Sequence, residues 1–247
     1  MKALLQAELI KLRTTRTFVA LAGIAVLTSL VFTALSSLLG EPTRKEVLYD
    51  VFNSDTSSLF ILILAIVGIA GEWRHRTITS ALLAAPDRIR FLAAKTLAFA
   101  AAGVVLSLVI AVAVATLGTT ILSIRDLPLP EVGEVAAQYA RNALVSGLLG
   151  ALGVGFGVIF RNQLIAIVGV LLLMFFVEPT LVALVPDVGR FGPLGVLPVA
   201  AADLPPEEWG LEDLDLLSPG LAALALLAWI GAAFAAGAAL LRARDLH

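Results

Sequence analysis

Six long apolar runs set the terms on which this chain can fold: Phe18–Leu39, Val51–Gly71, Thr96–Ile124, Tyr139–Phe160, Leu164–Val185 and Pro219–Leu241. A hydrocarbon layer of about 30 Å is crossed by about 20 residues rising 1.5 Å each, and every run reaches that length. In lipid the backbone must satisfy its own hydrogen bonds, so such runs are helices. The fold class is therefore all-α: a polytopic membrane protein with six transmembrane helices. The second run is the weakest, and it reaches full length only by extending back across Asn53-Ser54-Asp55 to Val51 and Phe52. The third is longer than required, which predicts tilt or an interfacial start. Composition agrees, with 60% apolar and 15% charged residues in 247, against about 45–50% and about 25% in soluble domains. A soluble enzyme, a secreted disulfide scaffold and a disordered tail are excluded. The sequence has no cysteine, hence no thiol chemistry, disulfide or Cys-ligated metal. Its two histidines, His75 and His247, are too few for a His-built metal centre.

Charge divides the connections into two sets. Met1–Thr17, Glu72–Lys95, Arg161–Gln163 and Arg242–His247 hold 12 Lys/Arg against 4 Asp/Glu, and the rest of the chain holds 5 against 15. An excess of Lys/Arg marks the cytoplasmic side. That puts both termini in the cytoplasm, as an even number of spans requires. The first run, at 22 residues, exceeds the 7–15 of a cleaved signal peptide's apolar region. Lipidation motifs are absent.

Residues 1–17 predict an interfacial helix. Leu5, Leu9 and Leu12 recur at helical spacing, with Gln6, Glu8, Lys11 and Arg13 on the other side. A plain positive anchor for orientation fits as well. In the connection 72–95, Ile78, Leu82 and Ala85 share one helical face and Pro86 ends the run. Asp87 is placed to cap the helix that follows. The product is a short amphipathic helix held between two spans, or a positive loop without a partner. The long opposite loop, 186–218, is acidic and rich in Pro and Gly, and its stretch Leu194–Ala202 predicts a return toward the membrane. Gly153 and Gly157, within the glycine-rich fourth run, are small-residue positions for close helix packing, as is the row Ala228, Ala232, Ala236.

Chemistry of its own is hard to assemble from this sequence. There is no Gly-x-x-x-x-Gly-Lys-Ser/Thr loop, no Ser/His/Asp set and no His-Glu-x-x-His motif. An ionisable residue at membrane depth marks coupling sites, and the candidate is Glu178, a possible outer-pathway residue. With Pro179 next to it, a helix break near the outer surface is the reading preferred here. Asp55 and Arg141 sit near span ends, where water is expected to reach them. The energy for transport then comes from elsewhere, or the protein conducts passively.

Two segments resemble the type-2 ATP-binding-cassette (ABC) exporter permeases. Glu8-Leu-Ile-Lys11-Leu-Arg-Thr-Thr-Arg-Thr17 is similar to that family's elbow helix, with Glu8, Lys11 and Arg13 as its charged positions. Glu72, Thr77, Leu82, Leu83, Pro86, Arg88 and Lys95 match in order the residues around its coupling helix, and Arg242-Ala-Arg-Asp245 looks like its charged ending. Arg76 departs from the pattern, in which a Gly commonly precedes the Thr. The resemblance implies an elbow at 1–17, a six-helix domain at 18–241 and a cytoplasmic tail at 242–247. It also implies a non-catalytic subunit paired with a cytoplasmic ABC ATPase and with a second copy or a homologous permease, and the Ala/Leu/Val bias, like that of a GC-rich bacterium, points to a bacterial inner membrane. Glu72, Arg74, Arg76, Thr77, Ile78, Leu82, Leu83, Pro86 and Arg88 would couple to that ATPase. This chain would hold no cofactor, ATP and Mg being the partner's, and would bind lipid but no nucleic acid. The alternative is a cassette-independent channel-like or accessory membrane protein. Nearly charge-free spans favour an apolar or amphipathic cargo, while a pathway between two copies lined by Ser, Thr and Gly would pass a polar one.

Overall fold

The computed structural model describes residues 2–40, 44–74, 87–160 and 162–243, and within them every regular element is helical. In chain order these are α1 (Lys2–Thr14), α2 (Arg16–Leu39), α3 (Arg44–Asp50), α4 (Ser57–Arg74), α5 (Arg88–Ile124) and α6 (Val132–Phe160). After them come α7 (Gln163–Leu184), α8 (Pro186–Gly189), α9 (Val196–Ala201) and α10 (Pro219–Ala243), with a 3₁₀ turn at Pro206–Trp209. Helices α2, α4, α5, α6, α7 and α10 are long and apolar enough to cross a membrane. The protein is an all-α polytopic membrane protein.

Its axis is α6. In that helix 78% of the apolar window is buried, against 17% in α2 and in α7. The glycines explain how one helix can be enclosed so fully. A Cβ on Gly150 would come 2.5 Å from the Phe99 carbonyl of α5, and one on Gly153 would come 2.6 Å from the Leu62 carbonyl of α4. Gly157 faces Ile66 and Ile69 of α4, and Gly155 faces Ala233 of α10. Without side chains on these positions three neighbouring backbones close onto α6, where dispersion contacts are strongest. The row Ala228, Ala232, Ala236 lies on the exposed side of α10; the helix packs instead through Ala222, Leu226, Ala233 and Leu241.

Three boundaries differ from the apolar runs, each for a local reason. Helix α4 starts at Ser57 rather than Val51, because Asp55 Oδ1 takes the Ser57 N–H at 2.8 Å and caps the helix. Val51 and Phe52 are spent elsewhere, buried against Val47 and Leu122. Helix α5 starts at Arg88, where Asp87 accepts the N–H groups of Ile89 and Arg90 at 3.1 Å each. It runs 37 residues, about 55 Å at 1.5 Å per residue.

In α7 the break expected at Glu178-Pro179 does not occur. The helix widens to a π turn over Leu173–Val177, in which the Glu178 N–H bonds the Leu173 carbonyl five residues back. That extra residue accommodates Pro179, which has no N–H to give. The loop after α7 folds back on the bundle. Leu194, Leu197, Ala200, Ala201 and Ala202 are buried in one cluster with Leu62, Leu149, Val170 and Leu226, as the apolar stretch 194–202 predicted.

Candidate functional site

Two polar assemblies sit at opposite ends of the bundle. At the end carrying α1, four charged side chains meet. Lys95 of α5 is 1% exposed and Glu72 of α4 is 3% exposed. The Lys95 ammonium donates to Glu72 Oε1 at 2.8 Å and to Glu8 Oε2 of α1 at 2.7 Å. Lys11, one turn beyond Glu8, donates to Glu72 Oε1 as well. Lys95 also lies 5.1 Å from the centroid of the Phe91 ring. Burial works against the Lys11 charge, but its contact with Glu72 and the field of Glu8 outweigh that and hold its pKa above the usual lysine value.

This arrangement corrects the sequence reading of α1. Glu8 does not lie on a solvated face. Leu4 and Leu12 flank it on the side packed against the bundle, and Leu9 and Ile10 are the exposed residues. A buried ammonium is tolerated only with carboxylates in contact, so Lys95 draws Glu8 inward. Four charges thereby fasten three elements, α1, α4 and α5, at the two helix ends from which residues 75–86 depart. Beside the cluster a cavity of about 440 Å³ is lined by Glu8, Lys11, Thr15, Glu72, Arg74 and Lys95 among others.

The remaining sequence-predicted residues fall out as follows. Arg88 donates to the Leu241 carbonyl and so ties the start of α5 to the end of α10, a favourable place for a cation at a helix C-terminus. Arg13 and Arg74 are exposed. Arg76, Thr77, Ile78, Leu82, Leu83 and Pro86 lie outside the described residues. Gly153 and Gly157 are the α4 contacts of α6. Glu178, at the far end, is 2% exposed and accepts the N–H groups of Leu194 (2.9 Å) and Gly195 (2.7 Å). It pins the folded-back loop to the π turn, and a Cβ on Gly192 would come 2.6 Å from its carboxylate.

The loop end also holds a polar assembly that the apolar runs concealed. Gln138 and Asn142 of α6 are buried, and Gln138 Nε2 donates to Asn142 Oδ1 and to the Ala202 carbonyl, both at 3.0 Å. Asn142 Nδ2 donates to Asn53 Oδ1 at 2.9 Å. Ser57 of α4 bonds Ser146 of α6, and Ser107 of α5 donates to Asp55. On α2 the row Ala25, Ser29, Thr33, Ser37 is buried; Ser29 accepts the Thr56 N–H at 3.1 Å. The small-residue spacing in α2 was the available signal for that face. Among the described residues no three His, Asp or Glu side chains converge as a metal ion needs. Compared with protein-family models and with curated proteins, the chain matches neither.

Proposed function

We propose that this chain is the membrane-spanning permease subunit of an ABC exporter, seated in a bacterial inner membrane with both termini cytoplasmic. It would work with a separate ABC ATPase that binds ATP and Mg, and with a second permease copy or homologue. The observation that carries this reading is the charge cluster of Glu8, Lys11, Glu72 and Lys95. An element that transmits work must be held rigidly and make different contacts in the partner's two states. Residues 75–86 connect Arg74 to Asp87 in the sequence, and the cluster braces α4 and α5 together while bolting α1 across them. A passive channel has no evident use for such bracing on one side of a loop.

The test is a search of the neighbouring reading frames for a P-loop ATPase and its co-expression with this chain, followed by affinity purification and ATPase measurement in lipid. A stable complex is expected, and Leu82→Asp or Leu83→Asp is expected to leave insertion intact while removing stimulated hydrolysis or transport. Absence of any ATPase partner, or normal transport by both variants, would overturn the reading.

A further inference from the structure

The loop-end polar assembly opens into a cavity of about 260 Å³ between α2, α4, α6, α7 and the folded-back loop. Asp55 is the one charged side chain that lines it among the described residues. Its carboxylate is partly buried and held in place from behind: Oδ1 accepts the Ser57 N–H at 2.8 Å and Oδ2 accepts the Ser107 hydroxyl. Those donors fix the carboxylate, and no ion pair joins Asp55 to a base among the described residues. The neighbouring amides of Asn53 and Asn142 are occupied with each other. Much of the remaining lining is apolar, with Met174, Leu194 and Val199, and it includes the aromatic residues Phe32 and Trp209.

A carboxylate facing an apolar and aromatic wall selects by charge and by surface at once. An alkylated ammonium satisfies both, because its charge is spread over methyl or methylene groups that need no hydrogen-bond acceptors and that aromatic faces attract. The folded-back loop is acidic as a whole: it carries Asp187, Asp203, Glu207, Glu208, Glu212, Asp213 and Asp215 against Arg190 in its own sequence. Arg141 and Arg190 pair with Asp203 and Asp215, and the excess of carboxylates left over attracts cations to this end. Whole drug-sized ligands occupy about 300–1,000 Å³, so this volume suits a head group with its apolar tail directed out.

We propose that this cavity is a binding site for the alkylammonium group of an organic cation, with Asp55 as its counter-ion and Phe32 and Trp209 on its wall. That the bound cation is a transported cargo rests on the exporter reading; that it binds does not.

The test uses the full chain purified in maltoside micelles, without any ATPase. Benzyltrimethylammonium is titrated against its uncharged carbon isostere, neopentylbenzene, by calorimetry and by Trp209 fluorescence in a Trp73→Phe/Trp229→Phe background. Saturable binding of the cation is expected, at least tenfold tighter than the isostere. Asp55→Asn is expected to abolish that preference while leaving the weak binding of the isostere unchanged. An Asn side chain still caps α4 through its oxygen, and its amide nitrogen, in the place of Oδ2, donates to the Ser107 hydroxyl oxygen, so the variant keeps the local structure. Equal affinity for the two probes in the unmodified cavity would overturn the proposal even if Asp55→Asn failed to fold, and so would an unchanged preference in a folded variant. Failure here with an ATPase complex in hand would leave the exporter reading with a different cargo.

Discussion

Lys95 shows how much one residue can organise. Its ammonium is almost wholly enclosed, and two carboxylates from different helices make that enclosure tolerable. Removing one partner of a buried ion pair costs about 3–5 kcal/mol, because the remaining charge keeps its desolvation penalty. Lys95→Met is therefore expected to lower stability by about that amount, read as a fall in the thermal unfolding midpoint in micelles. A midpoint within a degree of the parent for Lys95→Met would mean that the cluster is ornamental. The sequence pointed to Glu8, Lys11, Glu72 and Lys95 separately, as charged positions in two basic segments. It did not reveal that they meet. A helical wheel sorts side chains by polarity, so it placed Glu8 outward; only the partner 87 residues away turns it inward. Asp55 near a span end was legible as a residue within reach of water, and it lines the loop-end cavity; that Ser57 and Ser107 hold its carboxylate was not legible.

At the scale of elements, the periodicity of apolar residues was sufficient for the six helices and for the axial packing of α6, since glycines crowded into an apolar helix have few other uses. It was insufficient for α10, where alanine occurs on every face and the packed side is decided by where α6 lies. The same limit hid the Ser and Thr row of α2, which reads as a polar dilution until Thr56 is seen bonding Ser29. Two substitutions separate the consequential small residues from the incidental ones. Gly150→Val drives a Cβ toward the Phe99 carbonyl, a backbone atom that cannot rotate aside. Overpacking of that kind costs about 1–3 kcal/mol, and size-exclusion and thermal profiles should show it. Ala232→Val, on the exposed side of α10, should leave both profiles unchanged. Gly192→Ala probes the other end, where the added methyl would meet the Glu178 carboxylate. Faster amide exchange at Leu194 and Gly195 is expected, with α6 unaffected; exchange that stays slow would show that Glu178 does not hold the loop.

The whole molecule is electrically lopsided, and the two ends treat their charges differently. At the α1 end opposite charges are paired and buried. At the loop end like charges face one another across α3 and the 3₁₀ turn: burial and then Glu46 raise the pKa of Asp50, while burial, Asp50 and Glu207 raise that of Glu208. The consequence for stability has a definite sign. Both groups have higher pKa values folded than unfolded, so in the interval between those values the folded state binds more protons. Stability of the loop end therefore rises as pH falls through the raised values. The gain is complete once pH reaches the ordinary values of 3.8 and 4.5, and above the interval the repulsion is constant. Amide exchange of residues 203–216 followed between pH 7 and pH 4, corrected for the intrinsic exchange rate, should show protection growing toward acid. Asp50→Asn/Glu208→Gln should flatten that dependence and start from the protected level at pH 7. Protection of residues 203–216 that fell toward acid would show that Asp50 and Glu208 do not face each other as described.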